Sequence, residues 1–363
     1  MDPRENLDAA LERRRRMRAR RRRLLYLRRA LLLLCCAAIL ALVIATPVWI
    51  VRGIRNHRDR VRGSQADVNS TTTTQITAPA EPEHRIPAVD GQTVYLGSRI
   101  QSEYAVLLDM TDGRVVAAKN PDVSANPASI TKVMTLLVAV ENIENLDAEY
   151  VMPYQVTNYV YNIDRDASVT GFVSGDVMTL RDLLYGCVLP SGADAAVALA
   201  HYVVGDRAAT VADAEAMFAR MMNARAKELG AKNTNFTNTH GLHGAQHKTT
   251  AMDMALIMAA AMANETCRAV LMADRYSSPA TLRLPAERLA AGEWRSTLFN
   301  SWLGFNRYGI VAGKTGYTDQ ALHTLVTYTV GADGHEYVFV SMYVNGKDKA
   351  VSDAKAVYSK YCR

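Results

Sequence analysis

Cysteine is scarce in this 363-residue chain: there are five, and Cys35 and Cys36 lie inside an apolar run. The remaining three, Cys187, Cys267 and Cys362, cannot all pair, so no disulfide framework is expected. Cys187 reads as a small buried hydrophobe. Lysine is missing altogether from residues 1–62, where 17 Arg stand against 5 acids, a net of +12. The whole chain carries +6, so the residues after 62 sum to −6 and the basic character belongs to one end. No internal repeat is present, and no HExxH pair. A phosphate-binding loop is also excluded: Gly313-Lys314-Thr315 resembles its tail, but the first glycine it needs falls on Tyr308. Nor is a helix expected after Thr315, where such a loop requires one.

What is present begins with an arginine-rich stretch, ERRRRMRARRRRLLYLRR, followed by Ala30 to Val51, 22 residues without a charge. That length crosses a bilayer as a helix. Twelve Arg before it and five after it favour a cytoplasmic N-terminus and an exported remainder. A cleaved signal peptide is the alternative, but bulky TPVWIVRG follows the run where a small-x-small cleavage site belongs. Beside a spanning helix, the arginines read as a topology signal and an attraction to anionic lipid, not as a nucleic-acid site. The expected organisation is a cytoplasmic tail (1–29), a transmembrane anchor (30–51), a Thr- and Pro-rich extracytoplasmic linker (52–89) and a folded domain (90–363).

The folded part opens with EYAVLLDMTDGRVVAAKN, two β-rich runs around a Thr-Asp-Gly turn. ANPASITKVMTLLVAVENI reads as a helix starting near Ser129, with apolar residues at 130, 133, 134, 137 and 138. TLRDLLYGCVL and ADAAVALAHYVV read as buried helices, and VADAEAMFARMMNARAKELG as an amphipathic helix closed by a left-handed cap at Gly230. IVAGKTGYT, HTLVTYTV and HEYVFVSMYV read as strands, and KDKAVSDAKAVYSKYC as a final helix. The pattern is α+β with an antiparallel sheet.

Ser129 and Lys132, three apart on a helix, share a face, so the amine reaches the hydroxyl. Serine attacks only when a neighbouring base takes its proton, and lysine serves as that base only if its pKa is lowered. Alone the spacing is unspecific, since Ser352 and Lys355 match it on the last helix. Ser191, with Asp194 three residues on, reads as a helix start capped by its hydroxyl, a role compatible with passing protons. Lys314, Thr315 and Gly316 lie on an expected strand, either as a surface lysine before a turn or as a cation and hydroxyl facing a bound carboxylate, with a glycine against which substrate can lie. His240, His243 and His247 in THGLHGAQH tempt a zinc reading, but their spacing puts no two ligands on one helix face.

In this order, and with their flanks PASITKVMT, LLYGCVLPSGADAA, NTNFTNTHGLHG, HKTTAMDMALI and AGKTGYT, these residues resemble the serine D-alanyl-D-alanine carboxypeptidases, the low-molecular-mass penicillin-binding proteins. The resemblance covers roughly residues 100–363. It implies a β-lactamase/transpeptidase-like fold, an antiparallel sheet flanked by helices with a helical subdomain, and the site between the two. It implies peptidoglycan stem peptides ending in D-Ala-D-Ala as substrate and β-lactams as covalent inhibitors, with no metal, organic cofactor or nucleic acid. By position, Ser129 is the acylated nucleophile, Lys132 its base and Ser191 the relay to the leaving D-Ala. Lys314 and Thr315 hold the terminal carboxylate, and the N–H groups of Ser129 and Tyr317 form the oxyanion hole. Two departures stand out: the chain stops at Arg363, after the expected last helix, and Ala193 stands where the family motif Ser-x-Asn has its amide. Alanine supplies neither donor nor acceptor. That leaves two other readings, a wall-binding pseudoenzyme and a serine β-lactamase, although no Glu-x-x-Leu-Asn segment supplies a deacylating glutamate.

Overall fold

Strands that are buried on both faces shape this protein. A computed structural model describes residues 87–164, 167–278, 293–299 and 309–362. The arginine-rich tail, the apolar run and nearly all of the linker lie outside the described residues. The rest falls in one unit, Pro82–Arg363.

The strands are β1 (Val94–Tyr95), β2 (Tyr104–Asp109), β3 (Arg114–Lys119), β4 (Glu149–Val151), β5 (Val177–Thr179), β6 (Arg275–Ser277), β7 (Glu293–Arg295), β8 (Ile310–Thr318), β9 (Leu322–Val330) and β10 (Glu336–Val344). The helices are α1 (Lys132–Asn142), α2 (Tyr154–Ile163), α3 (Leu180–Val188), α4 (Ala193–Val204), α5 (Val211–Glu228), α6 (Ala251–Ala263), α7 (Glu265–Met272) and α8 (Lys347–Tyr361). Six strands form the main sheet in the order β1-β3-β2-β10-β9-β8. All neighbours are antiparallel except the short β1, which runs parallel to β3 at one edge. The fold is therefore α+β with helices on both faces, as the penicillin-recognising resemblance implies.

Alternate residues of each central strand enter different cores. Val106, Leu108, Val338 and Val340 join the helical core built on α1 and α3–α7. Ala105, Leu107, Tyr337 and Phe339 join a second core, covered by Ala350, Val351, Ala354 and Val357 of α8. Two covered faces explain why these strands read as continuous apolar runs instead of alternating ones. The α6 sequence AMDMALIMAAAMA is apolar nearly all round because it packs against α1 and the sheet strands β2 and β10. Without a polar face it carries no helical period, and only its Thr250 cap, which accepts from Asp253 N at 3.0 Å, marks its start. Among the described residues no single helix is long and apolar enough to cross a membrane.

The second Ser-x-x-Lys spacing, at Ser352, lies on α8 with the serine exposed. The residue that matters there is Asp353, which is buried. Its carboxylate accepts from Gln101 N at 2.9 Å, Ser102 N at 2.7 Å and Ser102 Oγ at 2.5 Å, clasping the last helix to the chain entering β2. Asp353→Ala strands three donors, so we expect a loss of about 3 kcal/mol in denaturant unfolding, with the m-value unchanged.

Candidate active site

Ser129 sits in a single 3-10 turn, Ala128–Thr131, that leads into α1, so the helix proper starts three residues later than its sequence pattern indicates. Ala128 is left-handed, with φ +50°. Such a residue costs roughly 1–3 kcal/mol and persists only when its surroundings over-determine it. Here they do. Thr131 Oγ1 donates to Ala128 O at 2.8 Å, and Thr324 Oγ1 donates to Pro127 O at 2.9 Å. His247 braces Thr131 from behind at 2.9 Å through Nε2, and its Nδ1 accepts from Thr237 N at 2.9 Å, which places the ring proton on Nε2. Burial, helped by the Lys132 charge, pushes His247 down to about 4, so it is neutral. Two glycines close on the turn. A Cβ on Gly316 would stand 2.8 Å from Ser129 N, and one on Gly241, whose φ is +83°, would strike the Ala128 carbonyl. The close neighbours of Gly316 are therefore the Thr324 hydroxyl and the turn that carries Ser129.

Lys132 opens α1 and is only 2% exposed. Its Nζ donates to Ser129 Oγ at 3.1 Å and to His240 O at 2.5 Å. Burial lowers its pKa to about 8, against the pull of Cys187, Asp194 and Glu215 in the other direction. Lys314, on β8 and 1% exposed, donates to Thr315 O at 2.8 Å. Burial and the neighbouring Lys132 charge bring it to about 7. Two buried cations near each other thus make neutral amines accessible close to neutral pH.

Ser191 is not the helix cap that its spacing to Asp194 suggests. Gly192 holds the cap position of α4 with no side-chain bond, and Ser191 itself is left-handed at φ +65°. Its buried hydroxyl has no hydrogen-bond partner. Asp194 turns elsewhere: its carboxylate accepts from Thr170 N (2.7 Å), Gly171 N (2.8 Å), Phe172 N (3.0 Å) and Ala195 N (2.9 Å). That network seats residues 168–172 on the start of α4, where Ala193 N donates to Ser168 O at 2.8 Å. Ala193 is buried, and with Ser129, Lys132, Ser168 and His240 it lines a recess of about 40 Å³.

The recess adjoins a cleft of about 390 Å³ lined by Ser129, Ser191, Thr315, Gly316 and Tyr317 together with Ser168 and Thr297. Six of the seven residues proposed from sequence thus line the two hollows, Lys132 being in the recess, and Lys314 lies buried behind them. Sequence reading missed Ser168, Thr297, Glu215 and the structural part played by His240 and His247. Thr297 ties two motifs together: its N–H donates to Leu189 O at 2.9 Å, beside Ser191, and its hydroxyl shares a 2.8 Å bond with Thr315 Oγ1. No motif marks it. His240 and His247 serve separate hydrogen bonds, and His243 makes no ligand group with them. The one metal-like cluster among the described residues is Asp109, Asp112 and His335 at a sheet end, where Arg114 supplies the countercharge 3.6 Å from Asp109 and 3.4 Å from Asp112.

Gly241→Ala should displace the turn that carries Ser129 without unfolding α1. We expect labelling of Ser129 by an acylating agent to slow by about 100-fold, the scale of a misplaced reacting group. Far-UV circular dichroism should stay unchanged.

A family model described as D-alanyl-D-alanine carboxypeptidase matches residues 91–345. Among curated proteins, the D-alanyl-D-alanine carboxypeptidase DacB2 of Mycobacterium tuberculosis is 31% identical over 269 residues, 73% of this chain and 80% of that protein. The D-alanyl-D-alanine carboxypeptidase of Streptomyces sp. strain K15 is 32% identical over 219 residues, 59% of this chain and 71% of that one. DacF of Bacillus subtilis is 34% identical over 157 residues, 43% of this chain and only 38% of its own length. The crystal structure of the Streptomyces K15 DD-transpeptidase superposes with a TM-score of 0.63 at 28% identity, covering 72% of this chain and 97% of that one. A match over this much of the domain, on this fold and around this serine and lysine, makes the chain a member of the D-alanyl-D-alanine carboxypeptidase family of serine peptidases.

Proposed function

We propose that this chain is a membrane-anchored serine D,D-carboxypeptidase that removes the terminal D-Ala from peptidoglycan stem peptides through an acyl-enzyme on Ser129. The observation that carries the reading is the 3.1 Å contact between Ser129 Oγ and a lysine amine whose burial lowers its pKa to about 8. Neutral Lys132 takes the Ser129 proton as Oγ attacks the carbonyl carbon of the penultimate D-Ala. The tetrahedral oxyanion sits at the N–H groups of Ser129 and Tyr317, where strand β8 and the nucleophile's turn meet. The C–N bond breaks as the proton taken up by Lys132 passes through Ser191 to the leaving amine, the unpartnered Ser191 hydroxyl being free to bond it, which leaves Lys132 neutral again. Thr315 and Lys314 hold the terminal carboxylate. Water then attacks the ester, with Lys132 as base again, releasing the shortened peptide and restoring Ser129.

Ala30–Val51 is the proposed anchor, with its arginine flanks setting a cytoplasmic N-terminus and the domain outside. Ala193 favours one competing reading. Because it offers the recess no polar group, a pseudoenzyme that binds stem peptides without turnover shares the same geometry.

Membranes carrying the full chain, treated with a fluorescent penicillin, should show one labelled band. The band should be lost in Ser129→Ala and retained in the membrane after alkaline extraction. The label should form faster as pH rises through about 8, where Lys132 loses its proton. A pentapeptide ending D-Ala-D-Ala should release D-Ala. Labelling without D-Ala release supports the pseudoenzyme, and rapid penicillin turnover supports a β-lactamase. Ala193→Asn should change the acylation rate by about 10-fold while moving Tm by less than about 4 °C.

A further inference from the structure

Within electrostatic reach of Lys132 lies a buried carboxylate that the proposed chemistry does not use. Glu215, on α5, is 3% exposed. It accepts from Thr239 Oγ1 at 2.6 Å and Thr239 N at 3.2 Å, and its Oε2 is 3.6 Å from His240 Nε2. His240 Nδ1 accepts from Leu242 N at 3.2 Å, which leaves the ring proton on Nε2, directed at Glu215. Thr135 of α1 donates to Thr239 O at 2.6 Å, fixing the segment from its other side. The next carbonyl along this pinned segment is His240 O, the acceptor of the Lys132 amine. Among the described residues the amine's partners are that carbonyl and the Ser129 hydroxyl, since Ala193 contributes none. The direction of the base therefore depends on a backbone oxygen whose position is set from α5.

We propose that Glu215 is a positioning residue for acylation: through Thr239 and His240 it holds the carbonyl that aims the Lys132 amine at Ser129. The inference rests on the acyl-enzyme reading of Ser129 and extends it to a residue that never meets substrate. Burial raises Glu215 to about 7, opposed by its Thr239 bonds and by Lys132. The titratable groups facing it are Lys132 from α1, Tyr159 from α2, Cys187 from α3 and His240 from the pinned segment. Lys132 in turn faces Cys187 and Asp194 and is close to Lys314, His240 and His247. His240 is held neutral, its pKa pushed down to about 3, so of the groups around Glu215 it is the Lys132 charge that opposes burial there. The sign follows: an ionised Glu215 favours the protonated amine, and removing the charge frees the neutral base at lower pH.

The test compares wild type with Glu215→Gln and Glu215→Ala in the full chain in detergent. The readout is the first-order rate constant of fluorescent-penicillin labelling from pH 5 to 10, which does not depend on the amount of folded protein. Glutamine keeps an acceptor for Thr239 but loses the charge, so its acid limb should move down by about one pH unit with a near-wild-type plateau. Alanine releases the segment, and its plateau should fall about 10-fold or more. KM for a D-Ala-D-Ala peptide should stay within about two-fold of wild type in the Gln variant, because Glu215 does not touch substrate. A Gln profile superimposable on wild type, or an Ala plateau equal to it, overturns the inference. Should wild type itself take no label at Ser129, the acyl-enzyme reading falls instead, and the two failures are distinct.

Discussion

A lysine amine taken out of water is the constraint on which this site rests. An isolated ammonium in an apolar interior is so costly that the group sheds its proton or finds partners, and Lys132 is arranged for both. Its two bonds aim it at Ser129, while burial brings its proton loss near neutral pH. Cys187, Asp194 and Glu215 push back, and the Lys132 charge in turn helps burial to lower Lys314. The Lys132 amine is thus poised between its own burial and groups supplied from α3, α4 and α5.

Strain accompanies that balance. Ala128 and Ser191 both hold left-handed backbone that non-glycine residues seldom adopt, and both border the reacting groups. Each is fixed by neighbours that have no chemical part: His247 and Thr324 around the first, Thr297 and the Asp194-bound loop beside the second. The glycines at 241 and 316 matter for the same reason, since a methyl at either would push the nucleophile's turn aside.

Much of this was legible in sequence because chemistry concentrates in short motifs. Ser129, Lys132, Ser191 and Lys314 were readable from spacing and flanking text, and α4 and the last three strands from apolar pattern. What escaped had physical causes. Helix α6 is buried all round and so has no period. The lone polar residues Thr297 and Glu215 act through contacts 18 and 24 residues along the chain, to Thr315 and Thr239, and no local pattern announces such contacts. Ser191 misled because the serine-to-acid spacing of a capping box occurred where the acid serves a different loop. True capping of that type appears at Thr179 and Asp182, where both reciprocal bonds form.

The clasp between Asp353 and the chain at Gln101 and Ser102 also bears on when the protein becomes competent. The two partners are separated by about 250 residues, and α8 is the lid of the second core. During synthesis the first three strands and the helical core emerge long before that lid. Until the fifteen residues of α8 arrive, one face of the sheet stays uncovered. β8 and β9, which complete the nucleophile's surroundings, then lack their backing. Closure of the second core is thus timed by the helix that covers it.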